Sequence, residues 1–383
     1  MMMGRILTLS TLSALALFSQ NRHKVDINTE TPEGQLLQQL GQEQDAAKKT
    51  LMLEDFAAKY PKHSSYAWVL GQLSANLIKS QQWDKVFPVA QALVGFDAAD
   101  SEMAYSGLQA AVAKNDPTLI AKWAAITNDA AKKGAARPKP ANEDEEAMWE
   151  YQVKFSQQVQ ERCEYEVYTA GLRQTDPAKR IEMLDALGAL NPKSKYAVTS
   201  DDAYILAYRQ LGANDKALAV AEKADAANTA NEDMYLLLAN GSFEKKENDK
   251  VVAYSDKLVA LLKDKAAPQG MSPDDWGKKK KTTLGAGYWL KGMVYAGANK
   301  FKEADETLRE GLPFYEDNEQ LLAPALFQLG LANNKLGTAG KIADKKRLTD
   351  AVGYFSRCAA IKSPYQTQAA TNVKVIRTQY AIK

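Results

Sequence analysis

The 383-residue chain carries 49 basic and 47 acidic residues, a formal charge of +2, so it lacks the sustained basic stripe that neutralising a nucleic-acid backbone requires. Only 22 Gly and 13 Pro beside an ordinary apolar fraction exclude a fibrous or wholly disordered chain. The length exceeds one simple core, which leaves two or three domains or a repeat array, and abundant Ala with little alternating Val, Ile and Thr favours helices.

The chain opens on a targeting pattern. Arg5 supplies a thin positive start, and Ile6 to Phe18 is a 13-residue apolar stretch, shorter than the roughly 20 residues that span a bilayer as a helix. It fits the apolar core of a secretory signal over residues 1–19, with an uncleaved membrane anchor as the alternative. Ala14-Leu15-Ala16 has the small-x-small form but falls inside the apolar stretch, whereas Leu17-Phe18-Ser19 is better placed but has Leu at the small position. No Cys follows for lipid attachment. The expected location is therefore periplasmic or secreted, with membrane contact only through this segment if it stays uncleaved.

From residue 31 the pattern is helical. Residues 51 to 63 form a helix stopping at Pro61; Leu70, Leu73, Leu77, Trp83, Val86, Ala90 and Leu93 form a helix pair. Helical repeats are expected over 31–133, then a linker over 134–147 containing Pro138, Pro140 and a run of acids suited to a helix N-terminus. Met148, Tyr151, Phe155, Val159, Cys163, Val167 and Ala170 then make a 3.6-residue stripe, predicting one long helix. Residues 177–192 form a second helix ended by Asn191-Pro192. Tyr204, Tyr208, Gly212, Ala217, Ala221 and Ala224 form the next pair, then Ala239, Phe243, Val252 and Val259. Tyr288, Gly292, Tyr295, Phe301, Ala304, Leu308 and Gly311 follow, and Leu329, Gly330, Gly337, Ala351, Phe355 and Cys358 close the series. Residues 148–383 are read as one C-terminal set of repeats. Gly212 and Gly337 are expected to make tight turns between paired helices.

The contact positions of these pairs, Val86, Ile120, Arg180, Ala217, Val252, Ala304 and Ala351, are separated by 34, 60, 37, 35, 52 and 47 residues. Insertions at 134–147, 268–283 and 338–347 account for the long intervals. Large-small-aromatic-small at Tyr288, Gly292, Tyr295 and Ala304, with a period near 34, resembles the tetratricopeptide repeat. The resemblance covers about residues 31 to 370; Arg180 departs from it, standing where the family has a small side chain. It implies an all-α fold, a tetratricopeptide-like α-solenoid of about six to eight stacked antiparallel helix pairs in a right-handed superhelix. The physical reason for stacking is that each pair is amphipathic and cannot bury its apolar face alone.

Reactive chemistry finds few residues to work with. The two histidines, His23 and His63, are isolated from one another and from any nucleophile pattern. Gly285-Ala286-Gly287 lacks the further glycine and preceding strand of a phosphate loop and reads as a helix start. Asp274-Asp275 suits a helix start better than a catalytic pair. Cys163 and Cys358 fall several repeats apart and read as buried free thiols rather than a disulfide. The basic run Lys278 to Lys281 reads as a solvated helix start, with an acidic-partner site as the alternative. No enzyme activity, cofactor or metal is expected.

The resemblance places the groove-lining positions of the last three pairs on Leu237, Trp289, Met293, Phe327, Leu331 and Asn334. That is an apolar set for a face left in water, and Trp is enriched at binding hot spots. It implies a non-catalytic interaction scaffold of the cell envelope or secreted space that takes a partner peptide or helix in a concave groove. Burial of the same side chains between repeats is the competing account. The alternative function is an accessory module docking polysaccharide or peptidoglycan for an enzyme on another chain, with Tyr288, Trp289 and Tyr295 stacking on sugars.

Overall fold

The computed structural model describes Val25 and residues 27–382; the expected signal segment and His23 lie outside the described residues. Among the described residues there are 18 helices and no strand. The chain divides into two compact units, one ending at Leu211 and one beginning at Gly212. The first holds α1 (Pro32–Gln42), α2 (Ala46–Lys59), α3 (Tyr66–Lys79), α4 (Trp83–Phe96), α5 (Ser101–Ala113), α6 (Pro117–Ala135), α7 (Glu143–Arg173), α8 (Pro177–Leu190), the short α9 (Lys195–Val198) and α10 (Asp201–Gln210). The second holds α11 (Asn214–Ala226), α12 (Glu232–Glu244), α13 (Asn248–Lys263), α14 (Pro273–Gly297), α15 (Phe301–Tyr315), α16 (Glu319–Thr338), α17 (Lys345–Ala359) and α18 (Gln366–Tyr380). The repeat expected from Tyr204 to Ala224 is therefore divided, its first helix in one unit and its second in the other.

Local sequence sets the helix ends. Four helices start with Pro at their first position behind a side-chain cap, Thr31, Asp116, Asp176 and Ser272, where the missing proline N–H breaks no helical bond. Turns between paired helices are made by one left-handed residue, at Gln81, Asn115, Lys246 and Asn299, with φ between 52° and 58°; Gly212, where the two units meet in sequence, also has a positive φ of 70°. Gly337 does not share that role: it lies inside α16, where the space for its missing Cβ is bounded by Arg347 and Leu348 of α17 at 3.1 Å.

Helices pack on their successors within each unit except past the short α9, where α10 packs on α8; first helices of neighbouring pairs also touch, α5 with α7 and α12 with α14 among them. The buried side chains form extended cores, Leu37 to Leu93 at the start of the first unit and Leu308 to Ile382 at the end of the second. Of the segment read as a linker, only 136–142 lies outside helices. There Arg137 donates to Gln152 and pairs with Asp97, while Trp149 donates to the Arg137 carbonyl at 2.9 Å. The stripe expected after it is the buried face of the 31-residue α7, with Val159, Cys163, Val167 and Ala170 all buried.

The expected insertion at 268–283 is largely helix: α14 begins at Pro273 and brings Trp276 into a core with Leu258, Leu262 and Leu284. Gly285-Ala286-Gly287 accordingly lies in the middle of α14. The frame of α13 is one residue from the expected one: Val251 is completely buried while Val252 is half-buried. Adjacent valines are chemically equal, so only the helix's rotation against α12 and α14 distinguishes them. Cys163 and Cys358 are both free and buried, and burial pushes their thiols up to about 12 and about 11.

Candidate partner-binding surface

The contact that repeats through the chain is a first-helix glycine against a large second-helix side chain. A Cβ on Gly107 of α5 would overlap the Trp123 ring of α6; one on Gly292 of α14 would overlap Leu308 of α15. Each of those partners lies 16 residues on. Gly330 of α16 faces Phe355 of α17 at 2.7 Å from the same hypothetical atom, and Gly171 of α7 faces Met183 and Leu184 of α8. The second-helix partners Trp123, Leu184, Leu308 and Phe355 are all buried. Gly107 and Trp123 escaped the sequence reading because a glycine among serines and alanines carries no pattern until its partner is known.

No family model matches the chain, and no curated protein matches it. Among solved structures it is similar to the crystal structure of the APC/C hetero-tetramer Cut9-Hcn1, with 13% identity and a TM-score of 0.33 over 95% of this chain; it spans 59% of that one. It is similar to the P58(IPK) TPR domain, with 12% identity and a TM-score of 0.26 over 92% of this chain and 99% of that one. A tetratricopeptide repeat protein from Parabacteroides merdae is alike at 12% identity and a TM-score of 0.25, over 79% and 99% of the two chains.

The fold is a tetratricopeptide-type helical repeat. The glycine-to-large contacts recurring in both units, with the left-handed turns between paired helices, carry that statement. Within the repeats, the six predicted groove residues Leu237, Trp289, Met293, Phe327, Leu331 and Asn334 are all half-buried. Three of them are committed to packing. Trp289 donates its indole N–H to the Leu321 carbonyl at 3.0 Å and lies 6.0 Å from the Phe243 ring. Phe327 meets Phe355 edge-on at 5.6 Å and Tyr365 at 5.0 Å, and Leu331 packs on the same core.

Met293 stands one turn from Trp289 on α14, and Asn334 follows Leu331 on α16, so both continue the same helix faces. The neighbouring Asn333 faces inward and is completely buried. Because Val251 sets the frame of α12–α13, the equivalent of Trp289 on α12 is Leu236, which packs on the cores of Leu290 and Leu258. Leu237 stands beside it on the helix, half-buried.

A second concavity, which no sequence pattern announced, lies in the first unit. It is a cleft of about 310 Å³ between α2, α3 and α4, walled by Leu70, Leu73, Leu77, Val89, Tyr66 and Pro88. Glu54 and Lys85 pair at its edge, 2.8 Å apart.

Charges in the second unit serve mainly to join helices. Of the basic run, Lys279 binds Glu232 and Asp233, Lys281 binds Asp317, and Lys280 donates to the Lys263 carbonyl. Burial opposes ionisation of Glu232, but hydrogen bonds from Lys265 and Lys279 outweigh it and hold its carboxyl below the usual range. Among the described residues no three His, Cys, Asp or Glu side chains are grouped to hold a metal ion. No described helix is long and apolar enough to cross a membrane.

Proposed function

We propose that this chain is a non-catalytic scaffold of the cell envelope or secreted space that takes an extended peptide or amphipathic helix of a partner protein. The observation that carries the proposal is the second unit's first-helix face. Trp289, Phe327 and Leu331 are spent on packing, which anchors the helices, while Leu237, Met293 and Asn334 stay partly open beside them. A fixed apolar surface with an amide on it suits a segment offering both side chains and backbone groups. The first-unit cleft is also lined mainly by apolar side chains, with the Glu54–Lys85 pair at its edge.

The faces of the aromatic residues considered for sugar stacking are already engaged. Tyr288 stacks on Phe314 at 5.7 Å with an interplanar angle of 7°, and Tyr295 lies under Lys291 and Lys300. This weighs for a protein partner over polysaccharide or peptidoglycan. Export is supported by the N-terminal sequence pattern alone.

The test is crosslinking in intact cells from a photoreactive residue substituted at Met293, with identification of what is captured. A protein partner lost on Met293→Asp supports the proposal; glycan alone, or no adduct above an exposed control position, rejects it. The N-terminal sequence of the mature chain decides between secretion and anchoring: a start near residue 20 supports export with cleavage, and an intact Met1 in the membrane fraction supports the anchor.

A further inference from the structure

The connection between α16 and α17 differs from its equivalents. Pairs α12–α13 and α14–α15 are joined by residues 245–247 and 298–300, whereas α16 and α17 are separated by residues 339–344. The excursion is closed at its base by the Asp344 N–H, which donates to the Gly337 carbonyl at 2.8 Å. Asp344 also caps α17, accepting from the backbone N–H groups of Lys346 and Arg347. Behind it, the Arg347 guanidinium is held by Asp305 and Asn333. The loop is therefore fixed at its root, and Ala343 packs against the core.

Between that anchored alanine and the bend at Gly340, Ile342 points outward with 89% of its surface exposed, more than any other large apolar side chain among the described residues. Lys335, Lys341, Lys345 and Lys346 surround it along the chain, and among the described residues none has an ion-pair partner. Lysines without an ion pair also occur elsewhere in this unit; what sets this loop apart is that four of them lie within seven residues of the most exposed aliphatic side chain.

We propose that the 339–344 loop contacts an anionic lipid surface, with Ile342 entering the headgroup layer and the four lysines neutralising headgroup charge. Charge complementarity selects the anionic surface. The isolation of Ile342 selects lipid over protein: a protein contact gains from several apolar side chains buried together in a complementary patch, and the apex offers one. A headgroup layer accepts a single protruding side chain without any matching shape. One short aliphatic side chain buries little apolar surface, so the lysines supply most of the attraction and the attachment is reversible. It is independent of any partner segment held elsewhere.

The test uses the full chain with Ile342→Cys, labelled with a polarity-sensitive fluorophore; Cys163 and Cys358 are buried, so the new thiol is the reactive one. Vesicles of phosphatidylglycerol and phosphatidylcholine in equal parts are expected to shift the dye emission, and high salt to reverse the shift. The shift is read at residue 342, so binding through the N-terminal segment does not mimic it. Replacing Lys341, Lys345 and Lys346 together by Gln is expected to weaken vesicle binding on the order of a hundredfold, at about fivefold per lysine. The same dye on Leu206→Cys is expected to stay unshifted. Absence of a shift, an equal shift with pure phosphatidylcholine vesicles, or a response to polyglutamate alone overturns the proposal, the last assigning the loop to an acidic protein.

Discussion

The Arg347 guanidinium donates to Asp305 at 2.5 Å while Asn333 donates to the same carboxylate at 2.7 Å, so one buried acid joins α15, α16 and α17. Arg309, one turn along α15, completes the set at 2.7 Å. Each partner comes from a different helix or turn, and none is near another in sequence except the 305–309 pair. The network fixes the stagger of the last two repeats and the root of the 339–344 loop.

Burial opposes ionisation of Asp305, but the hydrogen bonds from Asn333, Arg309 and Arg347 win and hold its carboxyl below the ordinary value. A depressed carboxylate contributes stability above its unfolded pKa of about 4 and loses it as the pH falls through the folded value. Urea unfolding of the wild type should therefore weaken progressively below pH about 4. Asp305→Asn should remove that component of the pH dependence and cost about 2 kcal/mol at neutral pH, discounted because both arginines are part-exposed. An unchanged acid profile in the variant would contradict this account.

Trp289→Ala is expected to destabilise the second unit by about 3 kcal/mol, at the low end for a buried tryptophan because the indole is half-exposed. It also removes the indole hydrogen bond to the Leu321 carbonyl. Trp289→Phe keeps most of the packing and should lose about 1 kcal/mol for the hydrogen bond. Met293→Ala is expected to leave thermal unfolding nearly unchanged and to act on partner binding instead. Denaturant midpoints for the three variants separate the roles; a stable Trp289→Ala protein that fails to bind would return Trp289 to the groove.

Gly107→Ala places a methyl group inside the contact distance of the fully buried Trp123 ring and should cost about 1–3 kcal/mol through overpacking. Nothing lies within 4 Å of a Cβ at Gly353 on α17. Gly353→Ala is expected to gain up to about 1 kcal/mol from helix propensity. Opposite signs of the two midpoint shifts are the expected result.

Cys163 and Cys358 should resist a thiol reagent at pH 8 in the folded chain and react only on unfolding, because burial raises both thiols to about 12 and about 11. Two equivalents of label taken up in denaturant and none without it would agree. Rapid labelling of either in the native protein would show that its repeat opens.

Helix pairing, the long α7 and the burial of both cysteines were determined by the sequence alone, because each is written in side chains three or four residues apart on one helix. Punctuation added the helix stop before Pro61 and the positive φ at Gly212, but not the helical character of 273–283 or the place of Gly337 inside α16. Tertiary structure alone decided three things. It chose Val251 over Val252, since two valines offer no chemical difference until a neighbour fixes the helix's rotation. It turned Trp289, Phe327 and Leu331 toward packing partners contributed by other helices. And it gathered Asp305, Asn333 and Arg347 around one carboxylate. Contacts spanning 28 to 42 residues depend on how pairs stack, and stacking distance is information that no local periodicity contains.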